Sequence, residues 1–333
     1  MKKLVLVSVV SVLFFALSME STYSAPQHTI PVDQLTSDMD TLNSSLSGGT
    51  LQLYARSRWL TPFFYLADFQ RHYGSGTGGS LILDDWAQVD PLEYVALTNT
   101  AMRVHRILSH SGVTLLDVTT AEYPYDSETD RHYIDARMVR VIQSETAITK
   151  RQIKLPSRYT IQSRMRQQLG TPYIWGGNSP VGSSRMLELY PSANQIDALT
   201  QAKWTMSGFD CSGLLFWATN GYTPRNTSKL ITYGTGIDIE WKTPEDIAKI
   251  LKPLDVIVWR WHDRIVLDKG HIIESTANFS GTGNYSTPNG VRIVPLIDSL
   301  REIIEEKKRT PVNDWDTSTL ERKSKFVIRR WYP

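Results

Sequence analysis

The chain has 333 residues and a mass of 37.9 kDa, enough for two or three modules of ordinary size. It is 41% hydrophobic and 21% charged, which excludes a disordered, collagen-like or coiled-coil chain. Thirty-six Lys and Arg against 34 Asp and Glu leave +2, so charge points neither to nucleic acid nor to an anionic membrane.

Met1-Lys2-Lys3 is a positive start, and residues 4–17 are almost wholly apolar. Small residues at Ser24-Ala25 complete the layout of a secretory signal peptide over 1–24, too short in its apolar part to span a bilayer. The mature chain is therefore expected to be exported, to the periplasm or cell wall, without a membrane anchor. Export gives meaning to the single cysteine, Cys211. It excludes an internal disulfide or a Cys-rich zinc site, and an odd thiol in an oxidising compartment is buried or chemically needed.

From 25 to 93 the signals are mixed. A helix is predicted over 32–46, closed by Gly48-Gly49, and Arg58-Trp59-Leu60-Thr61-Pro62-Phe63-Phe64-Tyr65 is an aromatic packing segment. The glycines between Gly74 and Gly79 form a loop that lacks the Lys-Ser/Thr of a phosphate cradle. Short β-branched and aromatic runs at 94–98, 113–119, 132–134 and 138–142 predict a small barrel over 94–154. Within it, Leu97-Thr98-Asn99-Thr100-Ala101-Met102-Arg103 and Tyr133-Ile134-Asp135 resemble the opening and closing strands of a bacterial SH3-like domain.

After Leu155-Pro156 a helix is predicted over 158–169, with Tyr159, Ile161, Met165 and Leu169 on one face and Gly170-Thr171-Pro172 as its stop. A polar segment over 178–207 follows. Cys211 sits in Gly208-Phe209-Asp210-Cys211-Ser212-Gly213, directly before the apolar helical run Leu214-Leu215-Phe216-Trp217-Ala218. Strand-like runs at 256–259, 265–267, 272–275, 291–295 and 326–332 complete an α+β domain over 155–333. Its plan is a cysteine-bearing helix packed on an antiparallel sheet.

A cysteine in the first turn of a helix feels the positive end of the dipole and free backbone N–H groups, which favour thiolate. The same N–H groups can stabilise an oxyanion in acyl transfer. Such a nucleophile needs a histidine within reach and a polar group to orient it. Of seven histidines only His262 and His271 follow Cys211. Neither has partners at metal-ligand spacing, so no metal or other cofactor is expected.

Four ordered motifs carry a resemblance. They are Tyr173-Ile174-Trp175-Gly176-Gly177, Asp210-Cys211-Ser212-Gly213, Thr223-Pro224-Arg225-Asn226-Thr227-Ser228, and Leu251-Lys252-Pro253-Leu254-Asp255-Val256-Ile257-Val258-Trp259. In that order they resemble the NlpC/p60 family of cell-wall cysteine peptidases, over 158–300. Two departures stand out: a long segment separates Gly177 from Gly208, and Leu254 replaces the glycine before Asp255. The resemblance implies a papain-like domain behind the SH3-like barrel, cutting peptidoglycan stem peptides between D-γ-glutamyl and the following diamino acid. It implies Cys211 as nucleophile, Tyr173 lining the pocket, and Asp210 with Ser212 where the free amine of the stem binds. A monomer with stem peptides as its partner is expected.

The family places its base at the start of a strand and an orienting residue twelve positions later, which matches His262 and Glu274. A three-residue loop Asp268-Lys269-Gly270, with Gly270 left-handed, puts those two on one face and His271 at the hairpin tip. Against this, Gly270-His271-Ile272-Ile273 reads locally like the family's Gly-His strand, whereas Trp261 precedes His262. His271 therefore stays open as the alternative base. Two further readings also remain: a catalytically silent wall-binding protein, and an amidase or acyltransferase on the same fold.

Overall fold

The structure, a computed structural model, describes residues 29–74, 78–124, 130–143, 151–277, 289–315 and 324–333. The predicted signal peptide lies outside the described residues. No described helix is long and apolar enough to cross a membrane.

One eight-stranded sheet builds the first unit. Its strands are β1 (Thr29–Ile30), β2 (Leu53–Ser57), β3 (Thr61–Phe64), β4 (Leu92–Ala96), β5 (Ala101–His110), β6 (Val113–Thr119), β7 (Tyr133–Asp135) and β8 (Val139–Ile142), in the order β1-β8-β2-β5-β6-β7-β3-β4. The helix predicted over 32–46 is realised as α1 (Val32–Ser37) and α2 (Met39–Ser47), broken at Asp38. The boundary expected at 93/94 falls inside β4. Leu53 and Phe63 from one side and Tyr94, Leu116 and Val141 from the other share a single core. β5 escapes the sequence pattern because a bulge between Val104 and Arg106 shifts its alternation.

The second unit contains, in chain order, α3 (Arg158–Arg166), β9 (Asn178–Ser179), α4 (Arg185–Leu189), α5 (Ala198–Thr205), β10 (Gly208–Phe209), α6 (Cys211–Ala218) and α7 (Thr227–Leu230). Then come β11 (Thr235–Gly236), α8 (Pro244–Ile250), β12 (Val256–Trp259), β13 (His262–Val266), β14 (His271–Thr276), β15 (Gly290–Pro295), α9 (Leu296–Arg301), β16 (Thr310–Pro311) and β17 (Lys325–Arg330). The main sheet runs β11-β17-β12-β13-β14-β15, with β16 beside β17. Leu214 and Leu215 of α6 pack on one face against Val256, Val258, Ile265 and Ile273. Leu300 of α9 covers the other face with Ile257, Val266 and Ile272. On α3, Ile161 and Met165 are buried but Tyr159 is 80% exposed, and Leu169 lies past the helix end.

The polar segment over 178–207 joins the two units. Met186, Tyr190 and Trp204 pack against Phe64, Phe69, Tyr73 and Leu92 of the first unit. The Trp204 indole N–H donates to the Tyr190 carbonyl at 2.8 Å, and the Tyr190 hydroxyl donates to Asp135 at 2.8 Å. Alongside, the Asn178 amide donates to the Val95 carbonyl at 2.7 Å.

Close approach at α6 makes one glycine necessary. A Cβ on Gly213 would stand far inside van der Waals contact distance of the Gly177 carbonyl oxygen. Helix propensity favours alanine over glycine by about 1 kcal/mol, whereas overpacking of this kind costs about 1–3 kcal/mol. Gly213→Ala is therefore expected to lower the thermal midpoint in calorimetry. A rise would mean that α6 is free to shift away from 173–177.

Candidate active site

Asp210 starts α6 from an extended backbone, its Oδ1 accepting the Gly213 N–H at 2.7 Å as an N-cap. The cap puts Cys211 at the first helical position. Asp210 Oδ2 also accepts the Gly176 N–H at 3.0 Å. The Arg225 guanidinium clamps both oxygens, at 2.9 and 2.6 Å, and reaches the Ser212 hydroxyl at 3.0 Å and the Gly177 carbonyl at 3.2 Å. Arg225 is buried and was not singled out by sequence reasoning. Its Pro-Arg motif was the available signal.

These bonds occupy most of the Asp210 carboxylate. A carboxylate has about four acceptor positions, and those of Asp210 already serve Gly176, Gly213 and Arg225. Asp210 is a structural cap and counter-ion that lines the cleft, with little acceptor capacity left for a substrate amine. Ser212 is tied into the same network. Tyr173 is buried beside Cys211, bridged to Phe209, and is not among the residues that line the cleft.

The cleft over Cys211 has a volume of about 350 Å³ and is built from both units. Tyr65, Glu93, Tyr123, Asp130 and His132 come from the first; Trp175, Cys211, Ser212 and Trp261 from the second. The Cys211 thiol lies 3.8 Å from the Trp261 carbonyl oxygen.

His262 and Glu274 meet. His262 Nε2 lies 2.8 Å from Glu274 Oε2, and Glu274 also accepts from Arg264 at 2.9 Å and from Arg292 at 2.9 and 2.8 Å. Burial alone would raise the Glu274 carboxyl, but the His262 bond and the two arginines hold it well below the usual range. Burial keeps His262 below its ordinary value despite Glu274, so the imidazole is neutral at pH 7. His271 sits at the hairpin end, half-exposed, with Nδ1 2.8 Å from Asp268. Gly270 is not left-handed, contrary to expectation. Asp268 closes the loop instead, accepting the Gly270 N–H at 2.9 Å.

The thiol's surroundings differ from those expected of a helix N-terminus. Ile265 lies in the core under α6, Val266 in the core under α9, and Arg264 reaches Ser299 of α9. The same alternation turns Asp263 toward Cys211 and His262 toward Trp259, whose ring is 5.1 Å away. Among the described residues no hydrogen bond joins His262 to Cys211. Burial first, then Asp263 and Asp210, push the Cys211 thiol well up, outweighing the Ser212 N–H and Arg225. These surroundings favour the thiol, against the thiolate that the helix N-terminus alone favours. Asp263 is fully buried, and neither of its oxygens makes a hydrogen bond of normal geometry. Burial and then Asp210 push its carboxyl up to about 7.

No protein-family model and no curated protein matches the chain. Similar solved structures are NlpC/p60 proteins. One from Bacillus cereus is 16% identical, with TM-score 0.30, over 87% of this chain and 67% of its own. NlpC1 from Trichomonas vaginalis is 12% identical, with TM-score 0.33, over 84% and 93%. RipD from Mycobacterium tuberculosis, a non-catalytic NlpC/p60 domain protein adapted to peptidoglycan binding, is 19% identical, with TM-score 0.27, over 41% and 86%.

Asp263 makes stability depend on pH. Its carboxyl binds a proton more tightly in the folded state, at about 7, than unfolded, at about 3.9. Stability should therefore fall as pH rises from about 4 to 7 and level off above. Asp263→Asn should flatten that slope and stabilise the chain at pH 8, by on the order of 2–4 kcal/mol. Urea titrations at pH 5 and pH 8 measure it. An unchanged slope would show that Asp263 is not the buried acid described.

Proposed function

We propose that this chain is an exported cysteine peptidase that cuts peptidoglycan stem peptides between D-γ-glutamyl and the following diamino acid. One observation carries the reading. The hydrogen-bonded pair His262–Glu274 begins one residue after Trp261, whose carbonyl meets Cys211 at the cleft. With Nε2 on Glu274, Nδ1 is the nitrogen left to take the thiol proton. Arg264 and Arg292 anchor Glu274, so the imidazole is oriented by a group that does not itself titrate near neutrality.

The backbone adds support. Leu254 and Trp261 stand where the family resemblance expects glycine, and both have positive φ, at 74° and 80°. His271 follows Gly270, which lacks that conformation. The glycine-like residue before the base thus favours His262 over His271.

In the proposed cycle a stem peptide fills the cleft, and Cys211 gives its proton to His262 round the open end of β13. β13 pairs with β14 only at Ile265–Ile273 and Val266–Ile272, so no ladder bond to β14 flanks His262. The thiolate attacks the γ-glutamyl carbonyl carbon, and the free N–H groups of the first turn of α6 receive the oxyanion. His262 then protonates the leaving amine, and water releases the acyl group. A neutral resting pair suits this order, with proton transfer delayed until substrate has displaced water. The first unit, read as SH3-like, restricts the substrate end through Tyr65, Glu93 and Asp130.

Asp263 favours a second reading. A buried acid turned to the thiol opposes thiolate formation, as suits a silent protein that binds stem peptides without cutting them.

Mass spectrometry of stem tripeptides incubated with the mature protein separates the two. The expected product is the dipeptide released by cleavage after the second residue, absent with Cys211→Ala. His262→Ala should lose about 10²–10⁴-fold in kcat, while His271→Ala keeps most activity. Peptides bound but never cut would establish the silent reading. Release of whole stems or of sugar ends would overturn the bond assignment.

A further inference from the structure

Trp261 occupies a backbone conformation that does not suit it. Trp259 pairs with His262, so Arg260 and Trp261 form a two-residue turn, and Trp261 has φ 80°. Left-handed backbone crowds a Cβ and is uncommon for bulky residues; turns of this kind prefer Gly, Asn or Asp. Packing does not explain the choice, because Trp261 is 63% exposed. The Arg260 guanidinium lies over the ring, 4.9 Å from its centroid, which stiffens the indole where it stands. That place is the cleft mouth, next to the thiol.

Trp241 supplies an internal comparison. It too is left-handed, at φ 62°, and is 94% exposed, but it lies before α8 and does not line the cleft. The two tryptophans share the strain and differ in position. Strained residues retained at a site are a pointer to function.

We propose that Trp261 is the substrate-positioning residue of this cleft, its indole packing on the amide planes of the peptide segment that flanks the attacked carbonyl. Trp175 and Tyr65, each 37% exposed, line the same cleft. Half-open aromatic faces suit the flat amides and aliphatic side chains of a linear peptide. The inference rests on the stem-peptide reading above, but not on whether the peptide is cut.

The test uses the mature protein carrying Cys211→Ala, which binds without turnover under either reading, and a synthetic stem tripeptide as titrant in calorimetry. Trp261→Gly and Trp241→Gly should both raise the thermal midpoint, by about 2 °C or more, because each relieves a left-handed side chain. Only Trp261→Gly should weaken Kd, by roughly tenfold. Trp261→Phe should stay within about threefold of the parent, since it keeps an aromatic face. If Trp261→Gly binds as tightly as Trp241→Gly, the inference fails while the stem-peptide reading stands. Absence of tripeptide binding by the Cys211→Ala parent itself would overturn that reading, and the inference with it. A lowered midpoint for Trp261→Gly would overturn the inference, since the strain it is argued from would be absent.

Discussion

The buried ion pair between Arg225 and Asp210 is the constraint on which the site depends. Both side chains are less than one-tenth exposed, and each would be costly to bury alone. Together they fix three separate stretches of chain: Gly176-Gly177, the start of α6, and the Pro-Arg segment. Removing either partner leaves an uncompensated charge in the interior, a loss of about 3–5 kcal/mol. The position of Cys211 follows from this network rather than from helix propensity, since α6 is only eight residues long.

Burial, more than this network, bears on the protonation of the thiol placed there. A helix N-terminus favours an anion by about 0.3–1 kcal/mol, up to roughly 2 in buried geometry. Desolvation acts on a buried group by several pKa units. Burial therefore wins at Cys211, and Asp263 with Asp210 adds to it. A charge argument built on the helix alone omits what the sheet brings to the same place. Occupation of the cleft changes that balance only if it alters what surrounds the thiol.

Much of the second sheet was legible in the chain because its strands are continuous apolar runs. The run at 256–259 is β12 without change, and the others differ from their strands by a few residues at the ends. The hairpin parity that pairs His262 with Glu274 was legible too, because a three-residue loop dictates it and the two do hydrogen-bond. Which way that pair points was not. Facing depends on what covers each side of the sheet, and Ser299 of α9 lies far along the chain from Arg264. Asp263 was invisible for the same reason: next to a candidate histidine, its identity says nothing until α6 is laid over it. Likewise α4 and α5 are hidden in a polar segment whose few apolar residues find their partners in the first unit.

That last arrangement explains why the long segment after Gly177 leaves the cleft over Cys211 intact. Inserted residues between two motifs would be expected to separate them, yet β9 and β10 pair across the segment's ends and return the chain to Phe209. The excursion between those ends is then free to serve another purpose, and it buries Trp204 and Tyr190 against the first unit. Tyr190 in turn reaches Asp135, at the end of β7, only a few residues from the cleft-lining His132. The cleft's two walls are thus referenced to one another through the insertion, and a change in its packing should be felt at the mouth over Cys211. The inserted length is thus one of the joints between the first unit and the cleft over Cys211.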